Sequence, residues 1–254
     1  MTRGIVILAQ NTTTVDYIKC AEVLAKSIRN VMPNTKIALI TDDVTDNKHF
    51  DTVIKFPYGD LAPKSNWKLV NNWQVFEASP FDETLKIEAD VFIPRSVDYW
   101  FDVASVQDVV VSTTIRNYKQ EISDNRYYRK FIDYNKLPNC YNALTYFKKT
   151  KTAEQFFSIV RNVFENWNDY KEILQCKKDE EVTTDWAYAI ACHILGTEKT
   201  IMPTFTDMSM VHMKQMINDT HTENWTDELI YELNPNSLRV NTKVQKYPFH
   251  YHIK

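Results

Sequence analysis

The sequence predicts an α/β fold, with one Rossmann-like, mainly parallel sheet, helices on both faces and a C-terminal extension. Three observations lead there. Short apolar runs bounded by polar or Pro/Gly punctuation recur at residues 4–9, 36–43, 53–56 and 84–93. Between them lie stretches with helical spacing, and this alternation is the pattern of a parallel sheet covered by helices. The 254 residues, 44% of them hydrophobic and 13% aromatic, suit one domain with a sizeable core.

The first apolar run, Gly-Ile-Val-Ile-Leu-Ala after Arg3, reads as a buried strand and is too short for a secretory leader. Val15, Ile18, Leu24, Ile28 and Val31 then follow helical spacing up to Pro33. Lys36–Asp43 reads as strand then turn, and Val53–Phe56 as a strand closed by Pro57 and Gly59. From Asn66 to Ala78 the pattern is helical: Leu69, Trp73 and Phe76 share one face, while Lys64, Lys68 and Asn72 align on another at intervals of four. Thr84–Ile93 is a strand ending in Pro94, and the last forty or so residues form a polar tail packed on the main domain. The expected organisation is one domain, 1–254. It divides into residues 1–95, 96–215 and a C-terminal extension, 216–254.

Composition excludes several functions. Only three glycines occur, so neither a GxGxxG dinucleotide turn nor a P-loop can be built, since both need several glycines to bring backbone amides to phosphate. Any bound diphosphate must be neutralised by a metal and side chains. Cys20, Cys140, Cys176 and Cys192 show no CxxC or zinc pattern and read as reduced thiols. No apolar run is long enough to span a bilayer. The expected location is the cytoplasm, without a membrane partner.

Glu88 and Asp90 are two apart in an apolar strand. On a regular strand they share a face, and two carboxylates there are costly unless a cation compensates them. Mn²⁺ or Mg²⁺ fits, because these ions take one or two carboxylates plus substrate phosphates. The competing reading is a solvated strand end.

The run Ser79-Pro-Phe-Asp-Glu-Thr-Leu-Lys-Ile-Glu-Ala-Asp-Val-Phe-Ile resembles the aromatic-Asp-x-x-Leu-x-Leu-Asp-Ala-Asp-Val segment of GT-A glycosyltransferases, with Glu88 in place of the first metal-site Asp. Other segments resemble that family in the expected order. Gln10-Asn11 after the first strand resembles its nucleotide-binding turn, and Lys68 and Asn72 stand where it places donor-facing polar residues. Tyr141-Asn142-Ala-Leu-Thr-Tyr-Phe147 resembles its sugar-lining strand, and Thr183-Thr-Asp-Trp186 its acidic motif facing the reacting sugar. Phe249-His-Tyr-His-Ile-Lys254 is similar to its late His and diphosphate-binding Lys. The overall pattern is similar to small glycosyltransferases of tailed bacteriophages, some of which modify hydroxymethylated cytosine in phage DNA.

The resemblance implies a GT-A type fold, with residues 1–95 as a nucleotide-binding half, 96–215 as an acceptor half and 216–254 as an extension closing the metal site. It implies a metal-dependent sugar transferase using a nucleoside-diphosphate sugar, in the host cytoplasm for a phage-encoded protein. It implies a metal held by Glu88, Asp90 and a tail histidine. His250 and His252 alternate, so only one faces the site; His250 is favoured over His252 and His212. It further implies donor contacts from Gln10, Asn11, Lys68, Asn72 and Lys254, and catalytic roles for Asn142 and Asp185. Asp185 reads equally well as the N-cap of the following helix. His193 reads as packed in that apolar helix, and Trp67, Trp73, Trp100 and Trp167 as core aromatics.

Segment 116–151 carries nine basic residues against three acidic ones, interleaved with Tyr118, Tyr127, Tyr128, Phe131 and Tyr134. Basic charge with aromatics suits a phosphate backbone and an unstacked base, though a solvated helix face over core aromatics gives the same pattern. On the first reading Arg126, Arg129 and Lys130 contact the acceptor, and double-stranded DNA ranks first among acceptors. A glycan, lipid-linked sugar or protein acceptor ranks second, and a non-catalytic nucleic-acid-binding module is the rival outside glycosyl transfer.

Overall fold

The structure is a computed structural model that describes residues 1–43, 48–66, 68–125, 129–177, 179–202, 208–220, 222, 224–234 and 237–251. The chain runs β1 (Arg3–Leu8), α1 (Tyr17–Val31), β2 (Lys36–Ile40), β3 (Thr52–Ile54), a 3-10 stretch (Lys68–Gln74) continuing into α2 (Val75–Ala78), β4 (Glu83–Glu88) and β5 (Val91–Phe92). It continues through α3 (Tyr99–Ala104), β6 (Val109–Ser112), β7 (Thr114–Arg116), α4 (Lys130–Tyr134), β8 (Tyr141–Lys148), α5 (Lys151–Glu165) and α6 (Trp167–Ile173). The last part holds α7 (Thr184–Leu195), α8 (Thr197–Thr200), β9 (Ser209–Met213), β10 (Tyr231–Asn234), β11 (Ser237–Val240), β12 (Lys243–Val244) and β13 (Phe249–Tyr251).

The main sheet has six strands in the order β3-β2-β1-β4-β8-β6. The first four are parallel, and only β8 runs against its neighbours. Period-two alternation sends adjacent residues to opposite faces. Ile5 and Ile7 join Leu24 and Ile28 of α1 and Trp100 of α3 in one core. Val6 joins Phe156 and Val160 of α5 and Tyr188 of α7 in the other. This is the expected mainly parallel sheet with helices on both faces. Gly4 is required by close approach: a Cβ there would lie 2.4 Å from the Phe81 ring.

The helices start where capping chemistry places them. Asp16 accepts from Lys19 N at the head of α1, and Thr150 accepts from Ala153 N at α5. Thr183, not Asp185, caps α7 through Trp186 N. Asp185 therefore sits inside the first turn with its carboxylate available for other partners. His193 is exposed rather than packed, because it falls on the last turn of α7 away from the sheet.

Two departures from the expected elements matter for the site. Residues 68–74 form a 3-10 stretch, where positions three apart eclipse, so Lys68, Asn71 and Gln74 form a row instead of Lys64, Lys68 and Asn72. The strand through the carboxylates also breaks. β4 ends at Glu88, Ala89 and Asp90 make a turn, and β5 joins a second sheet, β5-β13-β9-β7. The polar tail packs on the main domain, as expected, and does so by strand pairing. β13 inserts between β5 and β9, while β10, β11 and β12 form a separate antiparallel sheet.

Asp51 ties α1 to the sheet. Its carboxylate accepts from Ile37 N at 2.8 Å, from Lys36 Nζ at 3.1 Å and from the Arg29 guanidinium. Burial opposes ionisation there, but these donors outweigh it and draw the pKa down to about 2. A depressed carboxylate pKa contributes stability that is full above the unfolded value near 4 and is lost as pH falls through about 2. Asp51→Ala should cost roughly 1–2 kcal/mol at neutral pH after allowance for partial exposure. Urea titrations at pH 7 and pH 2 measure this; the gap between variant and parent should shrink at the lower pH.

Candidate active site

The break after β4 builds the site. β13 pairs antiparallel with β5, placing His250 opposite Val91, and Tyr251 N donates to Asp90 O at 3.0 Å. His250 Nε2 then lies 3.4 Å from Glu88 Oε2 and 3.3 Å from Asp90 Oδ1. The ligand atoms of these three residues fall within 4.8 Å of one another. Asp90 and His250 are buried, and Glu88 is partly exposed. Burial pulls the His250 imidazole down, but Asp90 and Glu88 outweigh it and hold the pKa above its usual value. Two carboxylate oxygens and one imidazole nitrogen facing a common point are the donor set that Mn²⁺, or Mg²⁺ with fewer nitrogen contacts, accepts. The residues fit a divalent ion. His212 is not in this cluster: its Nδ1 lies 3.1 Å from His250 Nδ1, on the side away from the carboxylates. His252, the alternative ligand, lies outside the described residues, as do Lys254, Arg126 and Trp67.

A cavity of about 400 Å³ adjoins the cluster, with Gln10, Lys68, Asn72, Lys86 and Lys214 among its walls. It opens beyond the carboxyl ends of β1 and β4, where ligands bind in parallel α/β sheets. Its volume falls in the range of small-molecule sites. Gln10 Oε1 accepts from Asn71 Nδ2 at 2.8 Å, and Asn71 also donates to Asp60 at 2.7 Å. Lys68 lines the cavity, but its ammonium is held by Asp60 Oδ2 and Ala62 O, both at 2.6 Å. Asn11 does not line it. Its Oδ1 accepts from Ile18 N and secures the start of α1, while its own N donates to Asp43.

Behind the cavity wall runs a charged chain. Lys86 is fully buried, and its Nζ donates to Asn142 Oδ1 at 2.6 Å and Asn142 O at 2.9 Å, with Glu88 Oε1 at 3.7 Å. Burial lowers its pKa against the pull of Glu88. Asn142 N and Nδ2 both donate to Asp185 Oδ1, at 2.9 and 3.0 Å. Arg129 Nη1 donates to Asp185 Oδ2 at 2.8 Å, and its guanidinium lies 4.2 Å from the Tyr141 ring centre. Burial would raise the Asp185 pKa, but Arg129 and the Asn142 donors hold it low. Asn72 joins from the cavity side, accepting from Tyr188 Oη at 2.7 Å.

Arg129 is therefore not a surface phosphate contact. It is buried, because an inward-facing guanidinium beside Asp185 gains a charge-assisted hydrogen bond and an aromatic face together. Other basic residues of its segment are also engaged internally: Arg116 bonds Ser209 and Gln120, and Lys148 bonds Ser105 O. Lys130 is exposed. Trp73, Trp100 and Trp167 are buried core residues, as expected.

Sequence reasoning missed Lys86, Asn71 and Lys214. Lys86 carried a readable signal, since it lies two residues before Glu88 on the same strand and so shares its face. Lys214 is half-buried just after β9, where burial lowers its pKa, and nothing in its local sequence marks it.

The sequence matches no family model and no curated protein. Solved structures do match. The galactosyltransferase LgtC, in complex with donor and acceptor sugar analogues, superposes with a TM-score of 0.51 at 12% identity, covering 98% of this chain and 87% of that one. An active-site mutant of LgtC gives 0.51 at 13% identity, over 98% and 88%. The apo glycosyltransferase GlyE of Streptococcus pneumoniae TIGR4 gives 0.48 at 11% identity, and this chain spans 46% of that protein's length. Among the described residues, no helix is long and apolar enough to cross a membrane. The mixed α/β architecture, with its central and mostly parallel sheet, is that of GT-A glycosyltransferase structures such as LgtC.

Proposed function

We propose that this chain transfers a sugar from a nucleoside-diphosphate sugar to an acceptor hydroxyl, using Mn²⁺ or Mg²⁺ held by Glu88, Asp90 and His250. The observation that carries the reading is the convergence of these three residues beside a cavity at the carboxyl edge of the sheet. The bound ion would supply positive charge where the departing diphosphate gathers negative charge. Lys214 adds a cation to the same cavity and takes the role expected of Lys254 among the described residues. Gln10, positioned by Asn71, offers polar contacts to the nucleoside. Asn142 and Asp185 orient the sugar and acceptor through the network that Lys86 and Arg129 hold rigid.

A glycan hydroxyl is the acceptor we favour, with DNA behind it, because Arg129 is withdrawn into the protein. A purely nucleic-acid-binding module leaves the carboxylate–imidazole cluster without a purpose.

The test is a thermal-shift panel of hexosyl and pentosyl nucleotides with Mn²⁺, followed by donor turnover with oligosaccharide and hydroxymethylcytosine DNA acceptors. One donor should raise Tm in a metal-dependent way. Lys214→Ala should weaken nucleoside-diphosphate binding by about tenfold or more, the loss of one charge-assisted contact. Absence of any metal-dependent shift across the panel would overturn the reading.

A further inference from the structure

His212 and His250 are register partners on the parallel strands β9 and β13, so their imidazoles stand side by side on one face. The rings are 5.0 Å apart between centres, with Nδ1 to Nδ1 at 3.1 Å. His212 is buried, its backbone carbonyl accepts from Asn218 Nδ2 at 3.0 Å, and Tyr141 packs edge-on against its ring. It has little freedom to swing away.

Two Nδ1 atoms at this distance make a hydrogen bond only if one carries a proton and the other a lone pair. His250 Nε2 faces Glu88 and Asp90, so binding a cation there requires the Nε2 lone pair and places the His250 proton on Nδ1. His212 must then accept at Nδ1. We infer that His212 is a positioning residue for the metal site: it accepts from His250 Nδ1–H, fixes the tautomer that presents Nε2, and locks the ring plane. Metal-bound histidines commonly donate to a carboxylate or carbonyl. A neutral imidazole acceptor does the same without adding negative charge to a site that already holds two carboxylates. With a divalent ion and neutral His250, Glu88 and Asp90 bring the cluster to zero net charge.

This inference rests on the metal-dependent reading above, and its test uses metal binding alone. The probes are Mn²⁺, titrated by electron paramagnetic resonance without nucleotide, and Cd²⁺ as a diamagnetic substitute for ring-nitrogen NMR. The matched pair is His212→Asn, whose amide oxygen can replace the Nδ1 acceptor, and His212→Leu, of similar shape but unable to accept. His212→Leu should lose about 10–100-fold in Mn²⁺ affinity, with His212→Asn recovering most of it. In the parent loaded with Cd²⁺, the His250 spectrum should show a protonated Nδ1 and a metal-bound Nε2. Unchanged affinity in His212→Leu, or equal losses in both variants with metal-free Tm preserved, would overturn the assignment. So would a Cd²⁺-loaded spectrum with the His250 proton on Nε2, a readout that survives even if His212→Leu does not fold. If the parent binds neither Mn²⁺ nor Cd²⁺, the metal reading itself fails, a result distinct from the others.

Discussion

Asp90→Ala is expected to leave a folded protein that has lost about a thousandfold in donor turnover. The backbone contact that docks the tail, Tyr251 N to Asp90 O, survives the substitution, so β13 keeps its place. The lost group is a buried carboxylate 3.3 Å from His250 Nε2. Removing a group that fixes positive charge opposite a developing oxyanion costs on the order of 10²–10³ in rate, or ~4 kcal/mol at 1.4 kcal/mol per tenfold. Without metal, the variant should melt close to the parent, because relief of the juxtaposition of Asp90 with Glu88 offsets the loss of the Asp90–His250 contact. The metal-induced rise in Tm should vanish, and excess chelator should bring the parent to the same state. Parent activity that persists in chelator would remove the metal from the mechanism.

Arg129→Ala carries the largest expected effect on stability. It leaves Asp185 as a largely buried carboxylate without its cation, and breaking a buried pair from one side costs about 3–5 kcal/mol. For a chain of this size that is a fall in Tm of roughly 6–15 °C. The loss should depend on pH. The Asp185 pKa is depressed mainly by Arg129 and Asn142 against burial. Its contribution is therefore present above the unfolded carboxylate value near 4 and fades below it as the group protonates. Melting curves of parent and variant should converge in acid. A variant that melts with the parent at pH 7 while losing only nucleic-acid affinity would instead restore Arg129 to the surface.

Arg129 also shows why some of the site was illegible. In sequence it is one cation in a basic, aromatic run, and that run reads the same whether its charges face water or the interior. What decides is Asp185, 56 positions away, and the packing of α4 against α7, where Phe131 stacks on Trp186 at 4.1 Å, brings the two together. The carboxylate pair was legible because Glu88-Ala-Asp90 sits in an apolar run where charge needs a reason. The break of that run was not, since hydrophobic spacing identifies a strand without saying which sheet it joins. Residues 68–74 failed on pitch: a period near three and a period of about 3.6 diverge by more than half a residue per turn, enough to put Asn71 against Gln10. The parallel strands and their two cores were readable throughout, because alternation such as Ile5-Val6-Ile7 records both faces at once.

The insertion of β13 beside β5 has a kinetic consequence. Asp90 and His250 are 160 positions apart, and closing so long a loop is a late and entropically costly event in folding. Metal coordination formed by that closure is absent from an early transition state. Mn²⁺ should therefore slow unfolding in proportion to its binding free energy and leave the refolding rate nearly unchanged. An ion bound there would act on this chain as a latch, set after the sheet is complete.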